Sequence, residues 1–141
     1  RSHCDWSSDV CSSDLPEQLL DAERVRWALN GYMSTFFEHH DFLICPAASI
    51  APFESKKPFI TEIDGTPCKT YIDWFAITFA LTMTGCPVIS LPCGFTDEGL
   101  PMGLQILAKP RHEDELLSFA ALLEDHFDVR DQLPIDPREA D

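Results

Sequence analysis

The chain has 141 residues, the length of one ordinary domain, and its 45% apolar and 11% aromatic content excludes wholesale disorder. A formal charge of -14 and a pI near 4.5 leave no basic patch for a nucleic-acid backbone or an anionic membrane, so neither is expected as a partner. No apolar run approaches the ~18 residues of a spanning helix, and no charged-then-apolar leader opens the chain, so a cytoplasmic setting is expected.

Residues 1–15 read differently from the rest. Cys4 to Leu15 is a Ser/Asp-rich string with no helical or strand period, and all of it resembles the in-frame translation of a common sequencing-library adapter. A segment of that origin is excluded from fold reasoning. Natural sequence is then expected to start near Pro16, with an upstream part missing. Leaving out Arg1, Asp5, Asp9 and Asp14 moves the formal charge from -14 to -12, so the acidic balance stands.

From Pro16 to His40, Val25, Leu29, Tyr32 and Phe36 recur at steps of four, three and four, with Ala28, Met33 and Phe37 widening the stripe. This spacing predicts an amphipathic helix. Pro16, Glu17, Asp21 and Glu23 suit its N-terminal end, and His39 and His40 suit the negative end of its dipole better than they suit a metal or base pair. Phe42 to Cys45, stopped by Pro46, reads as a short buried strand. Four prolines between Pro46 and Pro67, together with Asp64-Gly65, predict a surface excursion or loose hairpin, the kind of segment that edges binding sites.

Tyr71 to Met83 is apolar on nearly every face and is followed by Gly85 and Pro87, which predicts a buried helix with a glycine stop. Asp73 is the exception on that element and needs a partner, either a structural hydrogen bond or salt bridge or a substrate amine. Val88 to Leu91 reads as a strand, Pro92, Gly94 and Gly99 as the punctuation of a loop, and Met102 to Ala108 as a third strand. His112 to Phe127 is a helix with Leu116, Ala120, Leu123 and Phe127 on one stripe and Glu113, Asp114 and Glu115 in its first turn. The order of elements predicts an α/β fold. The expected division is 1–15 adapter-derived and disordered, 16–127 a folded part, and 128–141 an acidic tail.

Cys45, Cys68, Cys86 and Cys93 have no Cys-x-x-Cys spacing and no His at ligand distance, so neither zinc nor a disulfide framework is expected. Free cysteine is commonly a small buried hydrophobe. No metal and no cofactor is expected.

Thr84-Gly85-Cys86-Pro87-Val88-Ile89-Ser90-Leu91-Pro92-Cys93-Gly94, followed by Gly99-Leu100-Pro101-Met102-Gly103-Leu104-Gln105, resembles the C-terminal signature of the amidase-signature family in order and spacing. The strand ending at Pro46 and the helix from Glu113 extend the resemblance over about Trp27 to Phe127. The motif positions are Gly85, Pro87, Ser90, Pro92, Gly94, Gly99, Pro101, Gly103 and Gln105. Many members carry Asn where this chain has Thr82, which leaves the subfamily open.

The resemblance implies an α/β fold with a mixed sheet covered by helices on both faces, incomplete in this chain. It also implies hydrolysis of a carboxylic amide C–N bond by a Ser, a cis-Ser and a Lys, with backbone N–H groups stabilising the oxyanion. Those groups belong upstream, so no catalytic residue is expected here and the chain alone is expected to be inactive. Ser90 lacks a nucleophile elbow and an evident base, and reads as scaffold. A thiol hydrolase of Cys86 or Cys93 with His39 has no further support.

Tyr71, Trp74, Phe75, Cys93 and Phe95 are the candidates for lining the acyl side of a substrate pocket, with a small-molecule amide and a second copy of the protein as expected partners. The same signature also fits the A subunit of a glutamyl-tRNA amidotransferase. A small acidic binding module without catalysis is the alternative from another class.

Overall fold

The computed structural model describes residues 16–129; the adapter-like residues 1–15 and residues 130–141 of the acidic tail lie outside them. The elements are helix α1 (Pro16–Phe36), strands β1 (Phe42–Pro46), β2 (Glu62–Ile63) and β3 (Thr66–Pro67), a 3-10 turn (Asp73–Phe75), helix α2 (Ala76–Ala80), a second 3-10 turn (Leu81–Thr84), strands β4 (Val88–Phe95) and β5 (Pro101–Ala108), and helix α3 (Glu113–Phe127). β1, β5 and β4 form an antiparallel sheet in that order, with β5 central.

Alternation along β5 divides the core. Leu104, Ile106 and Ala108 face α3, where they meet Leu116 and Ala120 along with Ile89 and Leu91 of β4. Phe42 of β1 stacks on Phe119 of α3 with ring centroids 4.3 Å apart. Ile106 and Leu107 are fully buried on opposite faces of the strand, each burial worth about 1.5–3 kcal/mol. The Gln105 side reaches the α2 segment, because the Gln105 amide bonds the Ile77 carbonyl at 3.4 Å. Helical elements therefore lie on both sides of the central strand.

Three expectations need correcting. Helix α1 ends at Phe36 and has no buried residue. Val25 and Tyr32 of its stripe are 69% and 74% exposed, because only the C-terminal end of the helix, near Phe37, has a neighbour within the described chain. The Tyr71–Met83 segment is not one buried helix but a 3-10 turn, five α-helical residues and another 3-10 turn. Its threonine hydroxyls compete for backbone carbonyls, Thr82 with Phe79 at 2.6 Å and Thr84 with Leu81 at 2.6 Å, and this tightens the turns. Tyr71 is 60% exposed.

Pro92 does not end a strand either. β4 continues to Phe95 through a bulge between Pro92 and Gly94, and β4 is an outer strand among the described residues, a place where proline and bulges are tolerated.

The punctuation at the other glycines follows the sequence. Asp64 and Gly65 both have positive φ, at 47° and 75°, and close the β2–β3 hairpin as the Asp-Gly pair favours. Gly85 sits left-handed at φ 67° and stops the second 3-10 turn. Helix α3 ends as Asp128 turns left-handed and its N–H reaches the Glu124 carbonyl, and Val129 packs inward behind it. No helix among the described residues is long and apolar enough to cross a membrane.

Candidate functional site

The two halves of the Thr84–Gln105 motif fold against each other. Antiparallel pairing sets Ser90 opposite Gln105, and Gln105 opposite Cys45 of β1, so three polar or polarisable side chains form one rung on the face away from α3. Gln105 is buried and donates from Nε2 to the Pro46 carbonyl at 3.0 Å and to the Ile77 carbonyl at 3.4 Å. It thus pins the end of β1 and the start of α2 to the central strand. Burial pushes the Cys45 thiol above its ordinary pKa, and a hydrogen bond from Gln105 offsets part of that rise.

Gly103 lies beside this rung. A Cβ there would meet the Leu91 carbonyl at 3.3 Å and the Ala47 Cβ at 3.4 Å, so the glycine lets the loop that follows β1 pass close by. The Ala47 N–H donates to the Gly103 carbonyl at 3.0 Å. Thr78 of α2 closes the corner with a hydroxyl bond to the Ala47 carbonyl at 3.1 Å.

Next to Gly103 opens a hollow of about 290 Å³. The loop after β1 supplies Ala47, Ala48, Ile50, Ala51, Pro52 and Phe53; Trp74 comes from the 3-10 turn, and Pro101, Met102 and Gly103 from β5. No side chain in that wall is charged. The indole Nε1 of Trp74 is buried and has no hydrogen-bond partner among the described residues.

Of the five pocket candidates, Trp74 lines this hollow. Tyr71 and Phe75 stand beside it in an edge-to-face series: Tyr71 meets Phe75 at 5.7 Å, and Phe75 meets Trp74 at 5.0 Å. Cys93 and Phe95 lie on β4, half-buried, and do not line the hollow. Phe53, Phe59 and Phe79 join the same aromatic series, at 5.6 Å from Trp74, 6.2 Å from Tyr71 and 5.8 Å from Phe75 respectively. The sequence reading missed Phe53 and Phe59 because they belong to the loop after β1, where no period marks a shared face, and Phe79 because the all-round apolar composition of its segment marks none.

Asp73 finds its partners locally. Its carboxylate accepts from the Lys69 N–H at 2.6 Å, the Thr70 N–H at 3.0 Å and the Thr70 hydroxyl at 2.5 Å. The Thr70 hydroxyl, followed by the backbone N–H groups, holds its pKa below the ordinary value. Of the two roles open to it, the structure displays the hydrogen-bonded one, and it fixes the start of the turn that carries Trp74.

Comparison with known proteins identifies the arrangement. The Amidase family model matches residues 4–117, a range that includes the adapter-like segment. The chain belongs to the amidase family. Among curated relatives of this amidase chain, the glutamyl-tRNA(Gln) amidotransferase A subunit from Thermodesulfovibrio yellowstonii is 38% identical over 100 residues, covering 70% of this chain and 19% of the relative. Its counterpart in Acaryochloris marina is 34% identical over 101 residues, covering 72% of this chain and 20% of the relative. The chain thus spans about a fifth of the length of these relatives.

Among solved structures, a bacterial aryl acylamidase of the amidase-signature enzymes superposes with a TM-score of 0.72 at 21% identity, covering 90% of this chain and 28% of that one. That likeness is one of fold. A 6-aminohexanoate cyclic dimer hydrolase gives 0.57 at 30% identity, covering 70% of this chain and 22% of that one. The amidase fold of this chain is α/β, and the described residues hold part of it.

Proposed function

We propose that this chain is the C-terminal part of an amidase that hydrolyses the C–N bond of a carboxylic amide. In this reading residues 1–15 are an adapter-derived extension, 16–127 belong to the amidase domain, and 128–141 form an acidic tail. A Ser, a cis-Ser and a Lys from sequence outside this chain perform the chemistry, and the chain alone is inactive. Its own contribution is a wall: the Gln105 rung holds the scaffold, and the apolar hollow at Trp74 receives the part of the substrate that must be desolvated.

The observation that carries this reading is the joint one at the motif. Gln105 is committed to structural bonds with Pro46 and Ile77, while the space beside it is apolar and empty of any charged side chain. A pocket wall has that character, and a hydrolytic centre does not. The test is a comparison of the complete protein carrying this chain with the 141-residue chain by itself. Ammonia release from a neutral carboxamide is expected from the complete protein and not from the chain. Equal turnover by the isolated chain would overturn the reading.

A second reading, the A subunit of a glutamyl-tRNA amidotransferase, is favoured by the names of the curated relatives. It predicts that the complete protein takes ammonia from glutamine, and does so in a complex with further subunits. Co-purification of such subunits, with glutamine preferred over a neutral amide, would select it.

A further inference from the structure

We infer that Thr78 is a positioning residue for the substrate wall: its hydroxyl fixes the peptide from which the loop after β1 departs, and with it the shape of the hollow beside Gly103. The inference rests on the amidase reading and deepens it by naming the residue that sets where the wall stands. Thr78 does not itself line the hollow.

The wall is held unevenly. Ala47, Ala48, Ile50, Ala51, Pro52 and Phe53 make up six of the ten lining residues, yet among the described residues the hydrogen bonds of this stretch are all made at Ala47. Its N–H reaches the Gly103 carbonyl at 3.0 Å, and its carbonyl takes the Thr78 hydroxyl at 3.1 Å. At the far end Phe53 meets Trp74 edge-to-face at 5.6 Å. A chain clamped at one residue takes its course from the clamp.

The two bonds at Ala47 act on different peptides. The N–H bond holds the peptide that joins Pro46 to Ala47 and so continues the sheet. The carbonyl belongs to the planar peptide that joins Ala47 to Ala48. Holding that oxygen fixes the plane from which every later residue of the wall departs. With the hydroxyl gone, the plane turns about the Ala47 ψ, and the displacement grows along the chain toward Ile50 and Phe53.

Thr78 is also unlike the threonines that follow it. Thr82 and Thr84 bond carbonyls three residues back, at Phe79 and Leu81, the local habit of threonine in a helical segment. Thr78 reaches a carbonyl 31 positions away. Its hydroxyl therefore ties the segment that carries Trp74 to the loop that carries Phe53.

The experiment uses the complete protein carrying this chain. Thr78→Val keeps the side-chain shape and removes the donor, whereas Thr78→Ser keeps the donor. Turnover is followed with acetamide, too short to fill the hollow, and with hexanamide. Thr78→Val should raise KM for hexanamide about 3- to 10-fold more than for acetamide, the range of one neutral hydrogen bond, and should change kcat by less than about twofold. A displaced wall weakens binding of the longer amide, while general loss of folded protein would lower both activities alike. Thr78→Ser should restore the wild-type ratio of KM values.

A second readout needs no turnover. With indole nitrogens labelled with 15N and the Trp74 resonance assigned by its loss in Trp74→Phe, that resonance should move in Thr78→Val as the Phe53 ring shifts, and return in Thr78→Ser. Equal KM changes for the two amides, a Thr78→Ser variant as impaired as Thr78→Val, or an unmoved Trp74 resonance would each overturn the inference. Should Thr78→Val fail to fold, Thr78→Ala removes the same donor and is read in the same way. Absence of wild-type turnover with either amide defeats the amidase reading, and the Trp74 resonance still decides whether Thr78 sets the wall.

Discussion

Gln105 shows how one polar residue in an apolar strand can organise a site. Its amide joins β5 to two segments far away in sequence, through part-buried bonds to the Pro46 and Ile77 carbonyls. Gln105→Leu is nearly isosteric but cannot donate, so unfolding in urea should show a loss of about 1–3 kcal/mol, the cost of two hydrogen bonds made by a buried side chain. Asp73 is a contrasting case, exposed and locally bonded. Its carboxyl should titrate below the ordinary aspartate range by carbon NMR, and Thr70→Val should raise the midpoint, since the Thr70 hydroxyl is the leading cause of the shift.

The sign of the pH effect follows from that direction. A depressed folded pKa means that Asp73 contributes stability above its unfolded pKa and that the contribution is lost as pH falls through the folded pKa. Asp73 was visible in the sequence as a polar exception in an apolar segment, and Gln105 as a position of the family motif. Their partners were legible only for Asp73, which bonds residues three and four positions away, and not for Gln105, whose partners come from other elements.

At the scale of elements, helix α3 is where periodicity and structure agree best. Leu116 and Ala120 are both 3% exposed against the sheet, while Leu122, on the far side, is 68% exposed. Leu116→Ala should therefore lower stability by about 2–5 kcal/mol and Leu122→Ala by under ~0.5 kcal/mol, as measured by circular dichroism during urea unfolding. Equal losses would mean that α3 packs on another face. The Tyr71–Met83 segment went the other way. Apolar composition there suggested a continuous buried helix, but composition does not report that threonine hydroxyls divert carbonyls from the helical ladder. Pro92 misled for a related reason, since proline is barred from central strands and allowed on edges, and being an edge is a property of the sheet.

At the scale of the molecule, the described chain displays much apolar surface. Leu19, Leu20, Val25, Trp27 and Tyr32 are exposed on α1, and Tyr71, Ile72 and Met83 around α2. Surfaces of this extent are covered in working proteins. The 141-residue chain alone should bind the dye ANS and associate as concentration rises in light scattering, and the complete protein should do neither. A sharp cooperative melt of a monodisperse monomer would instead favour the small acidic module.

The amino-acid sequence by itself determined the kinds of element outside the Tyr71–Met83 and Pro92 segments, the stops at Gly85 and Asp64-Gly65, and the family, because helical and strand periods, allowed φ values and a spaced Gly/Pro motif are all written within a few neighbouring residues. Tertiary structure alone decided which faces are buried, which strand is an edge, and that Trp74 sits with loop residues around one hollow. Those outcomes depend on segments as far apart as the 59 positions between Gln105 and Pro46, and no local pattern encodes which distant chain will arrive.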